Sequence, residues 1–161
     1  METVIITIST SVAAGHSEDR SGAELAELAA AAGASVSARE VVSDDRPAIE
    51  ALLRRHVERG VSLIFTTGGT GLTPDDVTPE ATRAVIDRDA PGFAEAMRAE
   101  SLTHTPLGIL TRGVSGIAGQ TLIINFPGNP KAIRELFPVI APTLEHVVTT
   151  LHHQGGPTPG H

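Results

Sequence analysis

The chain has 161 residues, 40% of them hydrophobic and none of them cysteine, and its formal net charge is −7. This length suits one domain with a single core and leaves no room for a second domain. The absence of cysteine excludes disulfides, thiolate nucleophiles and cysteine-ligated metals from this chain. A negative charge and only four aromatic residues exclude the basic stripe and stacking rings of a nucleic-acid-binding surface.

The sequence also lacks the features of a membrane or secreted protein. No apolar stretch reaches the ~20 residues that a membrane span requires. The N-terminus runs directly into Val4-Ile5-Ile6, without the basic segment and cleavage site of a secretory signal. We therefore expect a cytoplasmic protein with no membrane partner.

Strand and helix patterns alternate from the start of the chain. Thr3 to Ser9 reads as a buried strand, and residues 36–42 predict a second one. Between them, an apolar stripe at helical spacing ends at Gly33 and predicts a helix that carries Leu25, Leu28, Ala29 and Ala32.

The next helix begins beside two adjacent acids. Asp44 or Asp45 is a candidate N-cap, with Pro47 in the first turn, and the apolar stripe continues to Gly60. His56 lies on this stripe, and we interpret it as a packed residue at the edge of the core rather than as a ligand.

A glycine-rich loop follows the apolar run 61–65 and precedes a helical pattern that begins at Thr78. Glycines on a strand-to-helix turn let the backbone approach an anion closely, and threonine hydroxyls add neutral donors. The alternative is a plain turn, since the loop fits neither the P-loop spacing nor the dinucleotide fingerprint. The candidate phosphate-binding residues are Thr67, Gly68, Gly69, Thr70 and Gly71, with Asp75 and Asp76 just beyond as candidate Mg²⁺ ligands or groups that orient one.

The second half continues the alternation. Helices are predicted from Thr78 to about Asp87 and over residues 92–101. Two strands are predicted at 108–111 and 121–126, and the glycines between them predict a bend or a ligand-facing loop over 112–119.

Residues 131–151 have a helical pattern that we expect to break near Pro138 and Pro142. The Gly/Pro-rich end predicts a flexible tail over 152–161, after a domain that spans 1–151. Its histidines lack the i, i+4 spacing of a helical metal site. The alternating strands and helices predict an α/β fold with a mostly parallel sheet covered on both faces, whose ligands bind at the carboxyl ends of the strands.

Several short motifs occur in a fixed order between Val4 and Leu151. They are the glycine loop at 67–71, Asp-Val-Thr-Pro-Glu-Ala-Thr at 76–82, Pro-Gly-Phe at 91–93, Thr-Arg at 111–112, Gly-Ile-Ala-Gly at 116–119, and Leu-Ile-Ile-Asn-Phe-Pro-Gly-Asn-Pro-Lys at 122–131. Each motif is modest alone, but the ordered set is specific. Together they resemble the molybdopterin adenylyltransferase family, which includes bacterial MogA and MoaB and the G domains of gephyrin and the plant Cnx protein.

The resemblance implies a MogA-like three-layer sandwich and an enzyme of molybdenum cofactor biosynthesis. Such an enzyme uses Mg²⁺ and ATP to adenylylate the terminal phosphate of molybdopterin, and it releases pyrophosphate. The product then passes to a molybdate-inserting, MoeA-like partner. The resemblance also implies a homotrimer.

The resemblance assigns roles to individual residues. The two functional aspartates of the family fall on Asp44 and Asp76, which would hold or orient Mg²⁺. Arg112 and Lys131, the only lysine of the chain, would supply fixed positive charge. The remaining substrate- and nucleotide-binding residues, besides the glycine loop, are Ser9, Thr111, Gly116, Pro127, Gly128 and Asn129. The alternatives are that Asp44 only caps a helix, that Asp76 only closes a turn, and that Lys131 is a solvated surface charge.

The chain departs from the family pattern after its first strand. Family members often have Ser-Asp-Arg or Ser-Asp-Ser there, whereas this chain has Ser9-Thr10-Ser11 and lacks that carboxylate. A catalytically silent molybdopterin-binding or scaffold protein is therefore the main alternative. A phosphosugar or nucleotide hydrolase is a weaker one, because the sequence has no histidine-based nucleophile arrangement or dimetal cluster.

Overall fold

Strands of branched apolar residues form the centre of the molecule. The structure is a computed structural model that describes residues 1–153, and its single sheet has the spatial order β2-β1-β3-β6-β5-β4. In chain order the strands are β1 (Glu2–Ile8), β2 (Ser35–Val42), β3 (Leu63–Thr67), β4 (Arg88–Asp89), β5 (Ser115–Ala118) and β6 (Thr121–Phe126). β2, β1, β3 and β6 run parallel, and β5 is antiparallel to both of its neighbours. The predicted α/β fold with a mostly parallel sheet is confirmed.

Helices cover both faces of this sheet. Their bounds are α1 (Thr10–Ala13), α2 (Arg20–Ala31), α3 (Arg46–Glu58), α4 (Thr78–Val85), α5 (Gly92–His104), α6 (Pro130–Ile140) and α7 (Leu144–Leu151). Helices α2, α5, α6 and α7 pack on one face, and α3 and α4 pack on the other. β3 and β6 are buried along their whole length because they lie between two helical layers, whereas edge strand β2 alternates in burial.

Helix starts follow the sequence signals. Asp19 caps α2 by accepting from the Gly22 amide at 2.9 Å, and Asp45 caps α3 by accepting from the Ala48 amide at 3.1 Å. His56 of α3 is fully buried, as expected of a packed residue. Its Nδ1 accepts from the Arg59 guanidinium, which can only donate, so its Nε2–H donates to Glu40 at 2.6 Å.

The predicted strand at 108–111 is wrong. Residues Pro106–Leu110 form a 3₁₀ helix, in which the Thr105 hydroxyl accepts from the Leu107 amide. Proline fixes the first turn, and a Cβ at Gly108 would lie 2.6 Å from the Ser101 hydroxyl, so the segment packs tightly against α5.

The predicted bend over 112–119 is wrong in part, because residues 115–118 form β5. Close packing rather than a bend favours glycine at position 116: a Cβ would lie 2.9 Å from the carbonyl oxygen of Arg88 and 2.5 Å from Cδ1 of Ile86. The turn itself is confined to Gly119, with φ +60°, and Gln120.

The predicted break at Pro138 is also wrong, since α6 continues through this residue to Ile140. Pro138 is exposed, while the opposite face of α6 is held in the core by Ile133, Phe137 and Ile140. Packing therefore outweighs the hydrogen bond that proline removes. The chain breaks instead at the 3₁₀ turn Ala141–Thr143, which contains Pro142.

Part of the predicted tail lies outside the described residues, namely 154–161. The His152 amide still donates to the Val148 carbonyl at the end of α7. The domain boundary after residue 151 stays a prediction. Within residues 1–153, no helix has the length and apolar character needed to cross a membrane.

Candidate active site

A cavity lies where β1, β3 and β6 end at the same edge of the sheet. Its volume is about 320 Å³. Its lining combines hydroxyl-bearing residues and glycines with apolar side chains and one pair of opposite charges: Thr7, Ser9, Ser21, Thr67, Gly68, Gly128, Ile8, Val12, Pro130, Glu18 and Arg20. This is the edge at which ligands of doubly covered parallel sheets bind.

The glycine loop adopts a backbone that other residues rarely take. Gly68 has φ +98° and Gly69 has φ +66°. A Cβ at Gly68 would lie 2.3 Å from the carbonyl oxygen of Ile8, and one at Gly69 would lie 2.3 Å from the Thr78 hydroxyl. The glycines therefore let the loop pass between the end of β1 and the start of α4. The predicted strand-to-helix turn is present, and its phosphate-binding role stays a prediction.

Hydrogen bonds to β6 and α4 hold the first half of this loop, among them one from the Gly68 amide to the Phe126 carbonyl at 3.1 Å. The Thr67 hydroxyl donates to the Pro127 carbonyl at 2.8 Å, which links the ends of β3 and β6. The Thr78 hydroxyl donates to the Gly68 carbonyl at 2.9 Å, and the Thr78 amide donates to the Gly69 carbonyl. The carbonyls of Gly68 and Gly69 thus both accept from Thr78, so the loop is fixed before any ligand arrives.

Arg112 braces the far end of the loop. Its Nε donates to the Gly71 carbonyl at 2.8 Å and its Nη2 donates to the Asp76 carbonyl at 2.6 Å, while Nη1 forms an ion pair with Glu80. The Arg112 amide donates to the Thr70 carbonyl at 2.8 Å. The donors of Arg112 are therefore used in contacts with the loop and with the Glu80 carboxylate, although the sequence predicted that this side chain supplies positive charge to a ligand.

The ion pair of Arg112 and Glu80 shifts the pKa of both groups. The hydrogen bond from Arg112 holds the pKa of Glu80 below its usual range, against the opposing effect of partial burial. The pKa of Arg112 is raised, mainly by the hydrogen bond to Glu80. Arg112 accordingly remains charged, with its charge balanced inside the protein.

Asp44 lies beside the glycine loop. Asp45, not Asp44, caps α3, so the helix-cap alternative for Asp44 is wrong. Oδ2 of Asp44 accepts from the amide of Thr10 at 3.0 Å and from its hydroxyl at 2.9 Å. A Cβ at Gly69 would lie 3.3 Å from Oδ1 of Asp44, so this second oxygen faces the loop.

Asp76 closes the turn that follows the glycine loop. Its Oδ2 accepts from the amide of Thr73 at 3.0 Å and from the Thr73 hydroxyl at 2.9 Å. A Cβ at Gly71 would lie 2.7 Å from the same oxygen. Asp76 thus has the turn-closing role that the alternative assigned to it, and any ligand-binding role comes in addition.

The other predicted residues are dispersed. Ser9 lines the cavity and caps α1 by accepting from the Val12 amide at 3.3 Å, and Asn129 caps α6. The Lys131 side chain is 76% exposed and lies 3.9 Å from Glu135 one helical turn away, as expected of a solvated charge.

Thr111 and Gly116 lie away from the cavity. Thr111 borders a water-sized space of about 20 Å³, together with Pro127 and Arg98. Gly116 is inside β5, where it pairs with Ile123 of β6. The sequence motif that contains Gly116 therefore marks sheet packing in this structure.

Asn125 is a positioning residue that the sequence reasoning missed. It is 2% exposed, and its Nδ2 donates to the hydroxyls of Thr66 at 2.9 Å and Thr82 at 3.0 Å. Its Oδ1 accepts from the Val114 amide at 3.1 Å. The sequence signal for this role is a single amide side chain within the apolar run of β6, because a buried polar group requires hydrogen-bond partners.

The oxygen donors of this site fit Mg²⁺. Residues 1–153 contain no group of three or more His, Cys, Asp or Glu side chains placed to hold a metal ion. Mg²⁺ on a nucleotide needs fewer protein ligands, because it keeps waters and binds one or two carboxylates plus substrate phosphates. Oδ1 of Asp44 beside the glycine loop is a donor of this kind.

Comparisons with known proteins agree with this picture. A family model described as a probable molybdopterin binding domain matches residues 4–146. The molybdopterin adenylyltransferase of Haemophilus influenzae is 51% identical over 96 residues, which are 59% of this chain and 49% of that protein. The molybdenum cofactor synthesis protein cinnamon of Drosophila melanogaster is 38% identical over 89% of this chain, but this match is 24% of that protein. The chain thus spans from about a quarter to a half of these curated relatives.

Solved structures are similar over almost the whole chain. MoaB of Thermus thermophilus, described as a molybdopterin biosynthesis enzyme, has a TM-score of 0.88 at 42% identity, with 93% of this chain and 95% of that chain covered. A structure of MogA has a TM-score of 0.89 at 40% identity, with 94% of this chain and 99% of that chain covered. With its fold, its glycine loop and a family match over residues 4–146, the chain belongs to the molybdopterin-binding domain family that includes MogA and MoaB.

Proposed function

We propose that this protein adenylylates molybdopterin with Mg-ATP and releases pyrophosphate. One observation carries the proposal: the Asp44 carboxylate does not cap α3, and its Oδ1 faces the glycine loop at the carboxyl ends of the strands. Relatives that bear the name molybdopterin adenylyltransferase support the choice of reaction.

The reaction joins two anions. A phosphate oxygen of molybdopterin forms a bond to the α-phosphorus of ATP, and the bond from that phosphorus to the pyrophosphate oxygen breaks. Bound Mg²⁺ supplies charge neutralisation at the phosphate oxygens. The protein itself holds the reacting groups in line and places dipoles where charge develops.

We assign different roles in this reaction to individual residues of the chain. Asp44 and Asp76 hold or orient Mg²⁺, and the amides of Gly69 to Gly71 bind phosphate, since the Gly68 amide already donates to the Phe126 carbonyl. Arg112 keeps the loop in shape through its contacts with Gly71 and Asp76. Arg20 lies on the cavity wall next to its ion-pair partner Glu18, and it offers positive charge to a phosphate by exchanging that partner, because the pair is about 80% exposed and weak.

The proposal includes an assembly and a partner. A short apolar patch is exposed at the 3₁₀ helix after α5, where Leu107 is 67%, Ile109 71% and Leu110 43% exposed. Such a patch favours an interface. We propose that it contributes to a homotrimer, which works in the cytoplasm and hands its product to a molybdate-inserting, MoeA-like protein.

Product analysis tests the reaction. The protein is incubated with ATP, Mg²⁺ and molybdopterin, and each component is omitted in turn. We expect AMP-linked molybdopterin and pyrophosphate in equal amounts, no ADP, and no turnover after chelation of the metal. Formation of ADP, or cleavage of ATP at the same rate without pterin, would point to a hydrolase.

The second candidate function is a silent molybdopterin-binding protein. Thr10 in place of a family carboxylate favours it, because one acidic group fewer is available beside Asp44. Tight binding of molybdopterin with no turnover under any divalent ion would establish this function instead.

A further inference from the structure

Thr10 and Asp44 form three hydrogen bonds across the ends of two neighbouring strands. The amide of Thr10 donates to Oδ2 of Asp44 at 3.0 Å, and its hydroxyl donates to the same oxygen at 2.9 Å. The Asp44 amide donates back to the Thr10 hydroxyl at 3.1 Å. The residues are 34 positions apart in sequence and meet because β1 and β2 are parallel neighbours.

These bonds make the two oxygens of the Asp44 carboxylate different. Oδ2 receives two converging donors from Thr10, while Oδ1 is the Asp44 oxygen that lies near the position of a Cβ on Gly69, at 3.3 Å. A carboxylate with no such contacts rotates about its terminal bond. Thr10 therefore fixes the plane of the carboxylate and leaves one of its two oxygens facing the glycine loop.

Only some residue types can make this set of contacts. The hydroxyl of residue 10 donates to the carboxylate and at the same time accepts from the Asp44 amide. Serine and threonine can do both, whereas valine can do neither and an ionised aspartate has no proton to donate. A carboxylate at this position would also lie against the charge of Asp44.

We propose that Thr10 is a positioning residue, which holds Asp44 with Oδ1 turned toward the phosphates of a metal-bound nucleotide on the glycine loop. This inference rests on the proposed function, since it takes Asp44 to face Mg-ATP. It adds a role for the residue at which the chain departs from its family. Threonine at this position then orients Asp44 and does not abolish activity.

The matched variants are Thr10→Ser and Thr10→Val, because only the former keeps the hydroxyl. Thr149→Val is the control, since its hydroxyl bonds locally, to the Glu145 carbonyl on α7. The binding of Mg-ATP without pterin is measured by calorimetry, and kcat and KM are measured for each variant. Should Thr10→Val fail to fold, Thr10→Ala takes its place.

We expect Thr10→Ser and Thr149→Val to bind Mg-ATP within about twofold of the parent, and Thr10→Val to bind about five- to tenfold more weakly. Turnover by Thr10→Val should fall about tenfold with an unchanged KM for molybdopterin. Equal binding and turnover by Thr10→Val and Thr10→Ser would overturn the inference. So would an Asp44→Asn variant that binds Mg-ATP as the parent does.

The same data separate this inference from the proposed function. A parent that binds Mg-ATP without forming pyrophosphate contradicts the proposed reaction, while the affinities of the Thr10 variants still test the positioning role. A parent that binds no Mg-ATP contradicts both.

Discussion

Asp44 and Asp45 are adjacent in the chain, yet their carboxylates serve different elements. Asp45 accepts from the Ala48 amide at 3.1 Å and caps α3, whereas Asp44 accepts from Thr10 at the start of α1. The sequence presents two equivalent acids, and the backbone at the start of α3 distinguishes them.

This division of roles predicts different effects for substitutions at Asp44 and Asp45. Asp44→Asn should lower the adenylylation rate by a factor on the order of 10² and leave the fold intact, because it neutralises a group that positions metal or transition-state charge. Asp76→Asn should behave alike. Asp45→Asn is the control and should keep both the rate and the unfolding temperature, because asparagine is an equally good N-cap.

Steady-state kinetics and thermal unfolding check this prediction. If Asp44→Asn and Asp76→Asn retain rates within about threefold of the parent, these residues are only structural. For Asp76 that role is already visible in its contacts with Thr73.

Two glycines with positive φ provide a matched test of the loop. Gly68→Ala places a methyl group 2.3 Å from the backbone oxygen of Ile8, whereas Gly60→Ala, at φ +74°, meets nothing within 4 Å. The left-handed backbone costs either variant roughly 1–2 kcal/mol. Only Gly68→Ala must also displace backbone, so we expect its unfolding temperature to fall further and its activity to be lost. Equal unfolding temperatures would contradict the close approach of the loop to β1.

The ion pair of Arg112 and Glu80 predicts a dependence of stability on pH. The pKa of Glu80 is lowered in the folded state by its hydrogen bond with Arg112, so the ionised form stabilises the fold. This contribution is present above the ordinary glutamate pKa of 4.5 and is lost as the pH falls through the lower folded-state value. The stability difference between the parent and Glu80→Gln should therefore shrink below about pH 4.5.

Thermal unfolding between pH 7 and pH 3 measures this difference. Glu27→Gln, on an exposed position of α2, is the control and should follow the parent at every pH. A gap between the parent and Glu80→Gln that stays constant over this range would show that the ion pair adds no charge-dependent stability. Because the side chain of Glu80 is 40% exposed, salt should weaken the effect.

The exposed patch after α5 predicts the assembly. Light scattering at micromolar concentration should give about three times the 16.7 kDa mass of one chain. Ile109→Ser, at 71% exposure, should shift the protein toward the monomer, because it removes apolar area from the interface. Val41→Ser, at 40% exposure on edge strand β2, should keep the parent mass. A monomeric parent would contradict the homotrimer.

The sequence by itself determined the order of the main elements and the edge of the sheet at which the glycine loop lies. Apolar runs such as 61–65 and the predicted strand 121–126 specify strands, and a glycine loop between a strand and Thr78 specifies a strand-to-helix turn. These are local properties: side-chain periodicity, backbone freedom and helix capping act over a few residues. The ordered motifs also identified the family.

The tertiary structure decided what each side chain does. Pro138 stays inside α6 because the opposite face of that helix is buried, and Gly116 lies in β5, where it pairs with Ile123 and leaves room for Ile86. Arg112 contacts Glu80 and the glycine loop, and Thr10 hydrogen-bonds to Asp44, which is 34 positions away in the sequence. Contacts of this kind depend on which strand ends are neighbours, and no local pattern in the chain encodes that.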